Sequence, residues 1–270
     1  MVLFVLFPGF GVPSVKGWEL DKDGFKKLDF LSELKKLGDV YTYTPNVYRY
    51  HYHKKYPLDE QQYEKFKEKP IEISMDQFDI EKECKRIYDE IKDYDGKFVP
   101  LGHSMGGFFA NYFCKLYKKR CLCCVLIESV RFIPKFDKFK SKEKYPNISL
   151  EDVKKIVGDI KKNKNIDDNL DKLDDITAYK YVEYIQKSTG KLQIPTLSFD
   201  NIKITDTEIE KNNARSCHRI RDYNEEMYRI NGDKITVIYF VNTRHFPWRN
   251  QIQSDELIRQ IRHFIDDLED

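Results

Sequence analysis

Residues Phe98–Phe113 read FVPLGHSMGGFFANYF. An apolar run stops on Gly102-His103-Ser104-Met105-Gly106-Gly107 and then resumes at helical spacing. That is the form of a strand, a sharp turn and a helix, with a serine at the apex of the turn. Glycines around the turn keep side chains from clashing where the backbone doubles back. The pattern G-x-S-x-G occurs often by chance, so its weight depends on what flanks it.

Upstream, the first seven residues are uninterrupted hydrophobics stopped by Pro8-Gly9, as in a strand buried on both faces of a parallel sheet. From Trp18 to Leu37, the spacing of Phe25, Leu28, Leu31, Leu34 and Leu37 predicts a helix that Gly38 ends. The stretch DVYTYTPNVY predicts a second strand. After it comes a polar, tyrosine-rich and lysine-rich loop containing RYHYHKKY (Arg49 to Tyr56). A helix is predicted from near Asp76, burying Ile80, Cys84, Ile87, Tyr88 and Ile91 on one stripe. Then follow the strand GKFVPL, the helix GGFFANYFCKLYKKR and the strand CLCCVLIESV. Such alternation predicts βαβ units, and hence an α/β fold with a mostly parallel sheet flanked by helices.

Between Phe132 and Gly190 the alternation stops, and Lys, Asp and Asn dominate. Two helices are predicted here, one capped by Ser149-Leu150-Glu151-Asp152 and one around Leu170, Leu173, Ile176, Val182 and Ile185. The sheet pattern returns with IPTLSF, a helix through Ile209, Cys217, Ile220 and Met227, and the strand KITVIYFV. A last helix carries the stripe Leu257, Ile258, Ile261, Phe264, Ile265 and Leu268. No internal repeat and no long linker divides the chain.

Bulk composition excludes several classes of partner. Over 270 residues, 47 Lys plus Arg nearly cancel 45 Asp plus Glu, and a net charge of +2 gives no general attraction to nucleic acid or anionic membrane. No apolar run reaches the roughly 18 residues of a membrane span, and MVLFVLFPGFG lacks the basic start and length of a signal peptide. The expected location is cytoplasmic, without integral membrane contact. Of six cysteines, three crowd into RCLCCVLIES; buried, reduced thiols are expected. Cys84, Cys114 and Cys217 supply no second pair at metal-ligand spacing, so no metal is expected.

A serine hydroxyl is a weak nucleophile at neutral pH and needs a general base, oriented in turn by a third group. His245, in VNTRHFPW, follows the strand ending at Val241 and precedes the last helix, at the strand edge where Ser104 leaves its own strand. Among the other histidines, His103 belongs to the turn, His51 and His53 to the polar loop, His218 to a polar-flanked helix, and His263 to the last helix. The orienting acid is sought after IPTLSF, where Asp206 stands before a helix and Asp200 stands at the expected strand end. Asp206 is preferred for its reach, although it also suits a helix cap. One oxyanion donor is expected from the backbone N–H of Met105, after the nucleophile. The other is expected from the N–H of Phe10 in the loop FPGFG.

Together, the strand ending in PGFG, the elbow GHSMGG, the IPTL strand with an acid after it, and RHFPW before a terminal helix resemble the α/β-hydrolase superfamily, in its order Ser104, Asp206, His245. The resemblance spans nearly the whole chain. It implies a hydrolase core over 1–133 and 191–270, and a helical cap or lid over 134–190. Three features depart from the superfamily's pattern. Pro8-Gly9 stands where His-Gly is common, the acid loop lacks the frequent G-x-x-D, and the chain starts at what looks like the third strand. The implied activity is that of a serine esterase or lysophospholipase-like lipase, acting without a cofactor on a small-molecule or lipid acyl substrate. Phe108 and Phe246 are expected to line an apolar acyl site. An acyltransferase using the same nucleophile and a non-catalytic binding protein of this fold are the alternatives.

Overall fold

A computed structural model describes residues 1–9, 18–19, 28–42, 79–129, 148–162, 164, 168–169, 172–173, 176, 192, 194–202, 232–241 and 245–269. Strand β1 (Val2–Phe7) is buried at every position. It lies between β2 (Asp39–Thr42) and β3 (Lys97–His103), parallel to both. With β4 (Cys124–Ile127), β5 (Thr196–Ile202) and β6 (Ile235–Val241), the sheet has the order β2-β1-β3-β4-β5-β6, and each neighbouring pair is parallel. The chain goes from β1 outward to β2, then returns to β3 on the other side of β1. The strand order reverses between β1 and β3, the position at which open α/β sheets bind ligands outside the carboxyl ends of their strands. Phe7 pairs with Gly102, so Pro8-Gly9 and His103-Ser104 emerge side by side.

Both faces of the sheet are covered, because alternate strand residues point to opposite sides. Leu3, Val5 and Phe7 of β1 pack with α2 (Ile80–Ile91) and α3 (Gly106–Leu116). Val2, Phe4 and Leu6 pack with α1 (Phe30–Leu34) and α5 (Gln251–Glu269). Helix α2 starts where the Asp79 carboxylate accepts the Glu81 and Lys82 N–H groups, a few residues later than the predicted start near Asp76. Helix α5 buries Leu257, Ile258, Ile261 and Ile265, each contributing about 1.5–3 kcal/mol by leaving water. Helix α4 (Leu150–Lys161) opens with the predicted cap: the Ser149 hydroxyl accepts the Asp152 N–H, and the Asp152 carboxylate accepts the Ser149 N–H.

Three elements differ from their predicted extents. The helix expected over Trp18–Leu37 is not continuous: Leu28 and Asp29 are non-helical, Asp29 is the N-cap residue of α1, and the helix ends at Leu34. Trp18 instead packs as a separate core anchor against Trp248, with ring centroids 4.5 Å apart. The strand CLCCVLIESV is reduced to Cys124–Ile127, because Cys121 makes only an isolated bridge to Phe98 and Glu128 has a left-handed φ of 47° that ends the ladder. Strand β5 extends through Asp200 to Ile202, so Asp200 lies inside a strand and not past its end.

Cys84, Cys114, Cys121, Cys123 and Cys124 are buried free thiols, and burial pushes the thiols of Cys84, Cys114 and Cys123 well up from their ordinary value. Among the described residues, no helix is long and apolar enough to cross a membrane, and no three metal-ligating side chains converge. The loop 49–56, the expected helix through Cys217 and most of 134–190 lie outside the described residues.

Candidate active site

Ser104 is the hinge between β3 and α3, with φ at +50°. For a residue with a side chain, this left-handed conformation costs about 1–2 kcal/mol and persists only where the surroundings over-determine it. Here they do. The Ser104 N–H donates to the Ile127 carbonyl at 3.1 Å, and its own carbonyl accepts the Ser129 hydroxyl at 2.7 Å and the Gly107 N–H at 3.2 Å. Gly106 is required by close approach, since a Cβ there would run into the carbonyl oxygen of Phe7 at the end of β1. The elbow is thus wedged between two strands.

Met105 is the N-cap residue of α3 and already has helical dihedrals (φ −63°, ψ −24°). Its N–H therefore belongs to the helix N-terminus, where N–H groups and the helix dipole favour negative charge. Phe10, the expected second donor, lies outside the described residues. Its neighbour Gly9 is beside the elbow: a Cβ on Gly9 would be 3.1 Å from Ser104 Cβ and 2.7 Å from His103 Nδ1.

His103 joins the elbow to the loop carrying His245. Its Nε2 lies 2.9 Å from the His245 carbonyl oxygen, and a carbonyl only accepts, so Nε2–H is the donor and the tautomer is set. Around this ring lie Trp248 at 4.6 Å, edge-on, Phe246 at 4.8 Å and the His245 ring at 4.6 Å. Burial, before any charge effect, holds His103 well below the ordinary histidine value, so it stays neutral.

The His245 side chain is 49% exposed and turns Nδ1 toward Glu128, with 3.8 Å between Nδ1 and Oε2. Glu128 immediately follows β4; its side chain is 9% exposed, and its N–H donates to the Phe199 carbonyl at 2.8 Å. Glu128 is absent from the sequence-derived site. The available signal was an acid one residue past a buried strand, CVLIE, at the same sheet edge as the elbow.

Other expected site residues divide. Asp200 is buried in β5, in register with Tyr239 of β6. Asp206 lies outside the described residues. Phe108 is 2% exposed and belongs to the core cluster that joins α2, α3 and one face of β1. Phe246 is at the rim, partly buried against His103 and Trp248, with the Arg249 guanidinium 4.0 Å above its ring.

No protein-family model and no curated protein sequence matches the chain. Solved structures do resemble it. The monoacylglycerol lipase of Paleococcus ferrophilus superposes with a TM-score of 0.55 at 15% identity, over 98% of this chain and 94% of that one. An α/β hydrolase enzyme from the sediment metagenome of the Mar Chica lagoon, Morocco, gives 0.53 at 12% identity, over 100% and 92%. A hydrolase from Oleispira antarctica gives 0.52 at 12% identity, over 98% and 90%. At such identities the likeness is one of fold, and the chain has the α/β-hydrolase fold.

Proposed function

We propose that the protein is a serine hydrolase of carboxylic ester or thioester bonds, working through an acyl-enzyme on Ser104. The observation that carries this reading is the tether between His103 and the His245 carbonyl, which holds an imidazole-bearing loop against a strained serine elbow. In the proposed cycle, His245 takes the Ser104 hydroxyl proton as Oγ attacks the substrate carbonyl. The Met105 and Phe10 N–H groups hold the oxyanion. His245 then protonates the leaving alcohol or thiol, and a water activated by the same ring releases the acid.

The substrate class we propose is an ester or thioester of an apolar acyl group, taken at the rim beside Phe246 and beneath a helical cap over 134–190. A lipase and other hydrolases among structures of this fold are consistent with that choice. The buried free thiols fit a reducing, cytoplasmic setting.

The test is labelling by a fluorophosphonate probe, with the modified peptide read by mass spectrometry. We expect the label on Ser104, no label in Ser104→Ala, and a loss of turnover of roughly a millionfold on p-nitrophenyl esters for Ser104→Ala or His245→Ala. Absence of label on Ser104, where a control serine hydrolase reacts fully, would refute the reading.

A further inference from the structure

We infer that Glu128, and not an aspartate following β5, is the acid that positions His245. The inference rests on the serine-hydrolase reading above and names the third member of its site.

Three independent features converge on this residue. The first is position. β4 is the direct neighbour of β3, and the Ser104 N–H bonds to the carbonyl of Ile127, so residues 104 and 128 leave adjacent strands at one level. The second is backbone conformation. Among the described residues, Ser104 and Glu128 are the two non-glycine positions with left-handed φ, at 50° and 47°. Backbone strain of this kind collects where a side chain must be aimed. The third is the contact itself. Glu128 Oε2 lies 3.8 Å from His245 Nδ1, with the carboxylate sheltered by the sheet edge and the imidazole half exposed.

A ring whose Nδ1 faces a carboxylate presents Nε2 on its opposite side, where a serine hydroxyl must be met. At 3.8 Å the two groups stand beyond hydrogen-bond distance, and catalytic hydrogen bonds that are long in a resting enzyme tighten in the substrate complex. His103 is neutral and donates to the His245 carbonyl, which fixes the main chain of the base while Glu128 orients its ring. Arg249 is engaged over Phe246, adding positive charge to the rim. Glu128 then stabilises the imidazolium formed as Ser104 attacks, with no proton passing to the carboxylate.

The decisive experiment compares Glu128→Gln, Glu128→Asp, Asp206→Asn and Asp200→Asn with wild type, in kinetics and in proton NMR. For Glu128→Gln we expect kcat to fall roughly ten-thousandfold with KM within about threefold of wild type, the pattern of an imidazole left in the wrong tautomer. Glu128→Asp should recover part of that loss. In complexes with a boronic acid bound to Ser104, which hold the imidazole protonated, the far-downfield signal of an imidazole Nδ1–H bound to a carboxylate should be present in wild type, Asp206→Asn and Asp200→Asn, and absent in Glu128→Gln. Thermal melts check that each variant is folded; if Glu128→Gln is not, the charge-conserving Glu128→Asp, with its shorter arm, carries the kinetic and spectral comparison. The inference is overturned if Glu128→Gln keeps the signal and its turnover while either aspartate variant loses both, or if wild type lacks the signal. Failure of the serine-hydrolase reading itself looks different: Ser104 stays unlabelled in every variant.

Discussion

Two glycines, each inside a helix, are present for opposite reasons. At Gly106 in the first turn of α3, any Cβ collides with the Phe7 carbonyl oxygen of β1. At Gly158 in α4, nothing among the described residues lies within 4 Å of where a Cβ would stand. Helix α3 is pressed against the sheet and buried on most sides, so its start cannot shift without moving the nucleophile. Helix α4 buries only Val153, Val157 and Ile160, and carries its own supports in the Ser149–Asp152 cap and a 2.6 Å Lys154–Glu151 pair. One helix is placed by what surrounds it, while the supports described for the other are local. Sites that need fixed geometry call for the first kind.

The sharpest way to break this contrast is Gly106→Ala. Its methyl meets backbone, which cannot rotate away, and we expect a loss of about 3 kcal/mol or more, read by urea denaturation, with probe labelling of Ser104 failing alongside it. Next comes pH. His103 is held neutral in the folded protein but titrates at its ordinary value once unfolded, so below about pH 6.5 the unfolded chain binds the extra proton. Its contribution to stability is intact above pH 6.5 and declines as pH falls toward the depressed folded value. The slope due to His103 should approach about 1.4 kcal/mol per pH unit and appear as the difference between the wild-type and His103→Asn curves, measured by denaturation between pH 7.5 and 5. The smallest effect, with opposite sign, is Gly158→Ala. It should stabilise the protein by about 0.5–1 kcal/mol through better helix propensity, and a destabilisation would show that α4 is covered at that face.

The centre of the sheet is legible in the sequence because burial on both faces leaves a mark on the inner strands VLFVLF, KFVPLGH and CVLI. The elbow is legible because its turn demands glycine at fixed offsets from Ser104. Helix ends with side-chain caps are legible too, as at Ser149. Less is written where tertiary contact decides. Apolar spacing from Trp18 to Leu37 suits one helix, yet Trp18 is taken by a cluster with Phe30, His103 and Trp248, residues far apart along the chain. Asp200 reads as a strand end because SFDN turns polar, whereas pairing with β6 carries the strand to Ile202. Glu128 is the clearest case. Nothing local distinguishes one acid after a strand from another; only the order of β3 beside β4, and the return of the chain at His245, bring it to an imidazole.

The position of β1 also has a consequence for synthesis. This strand belongs between β2 and β3, but about a hundred residues separate it from β3, which at ribosomal speeds of about 5–20 residues per second is many seconds of waiting. During that time six consecutive hydrophobic residues, without charge or proline, have no inner neighbour, the profile of a segment that pairs with other chains when left exposed. The strand beside which the serine elbow later stands is therefore a segment that gains from shielding by a chaperone while the chain is being made.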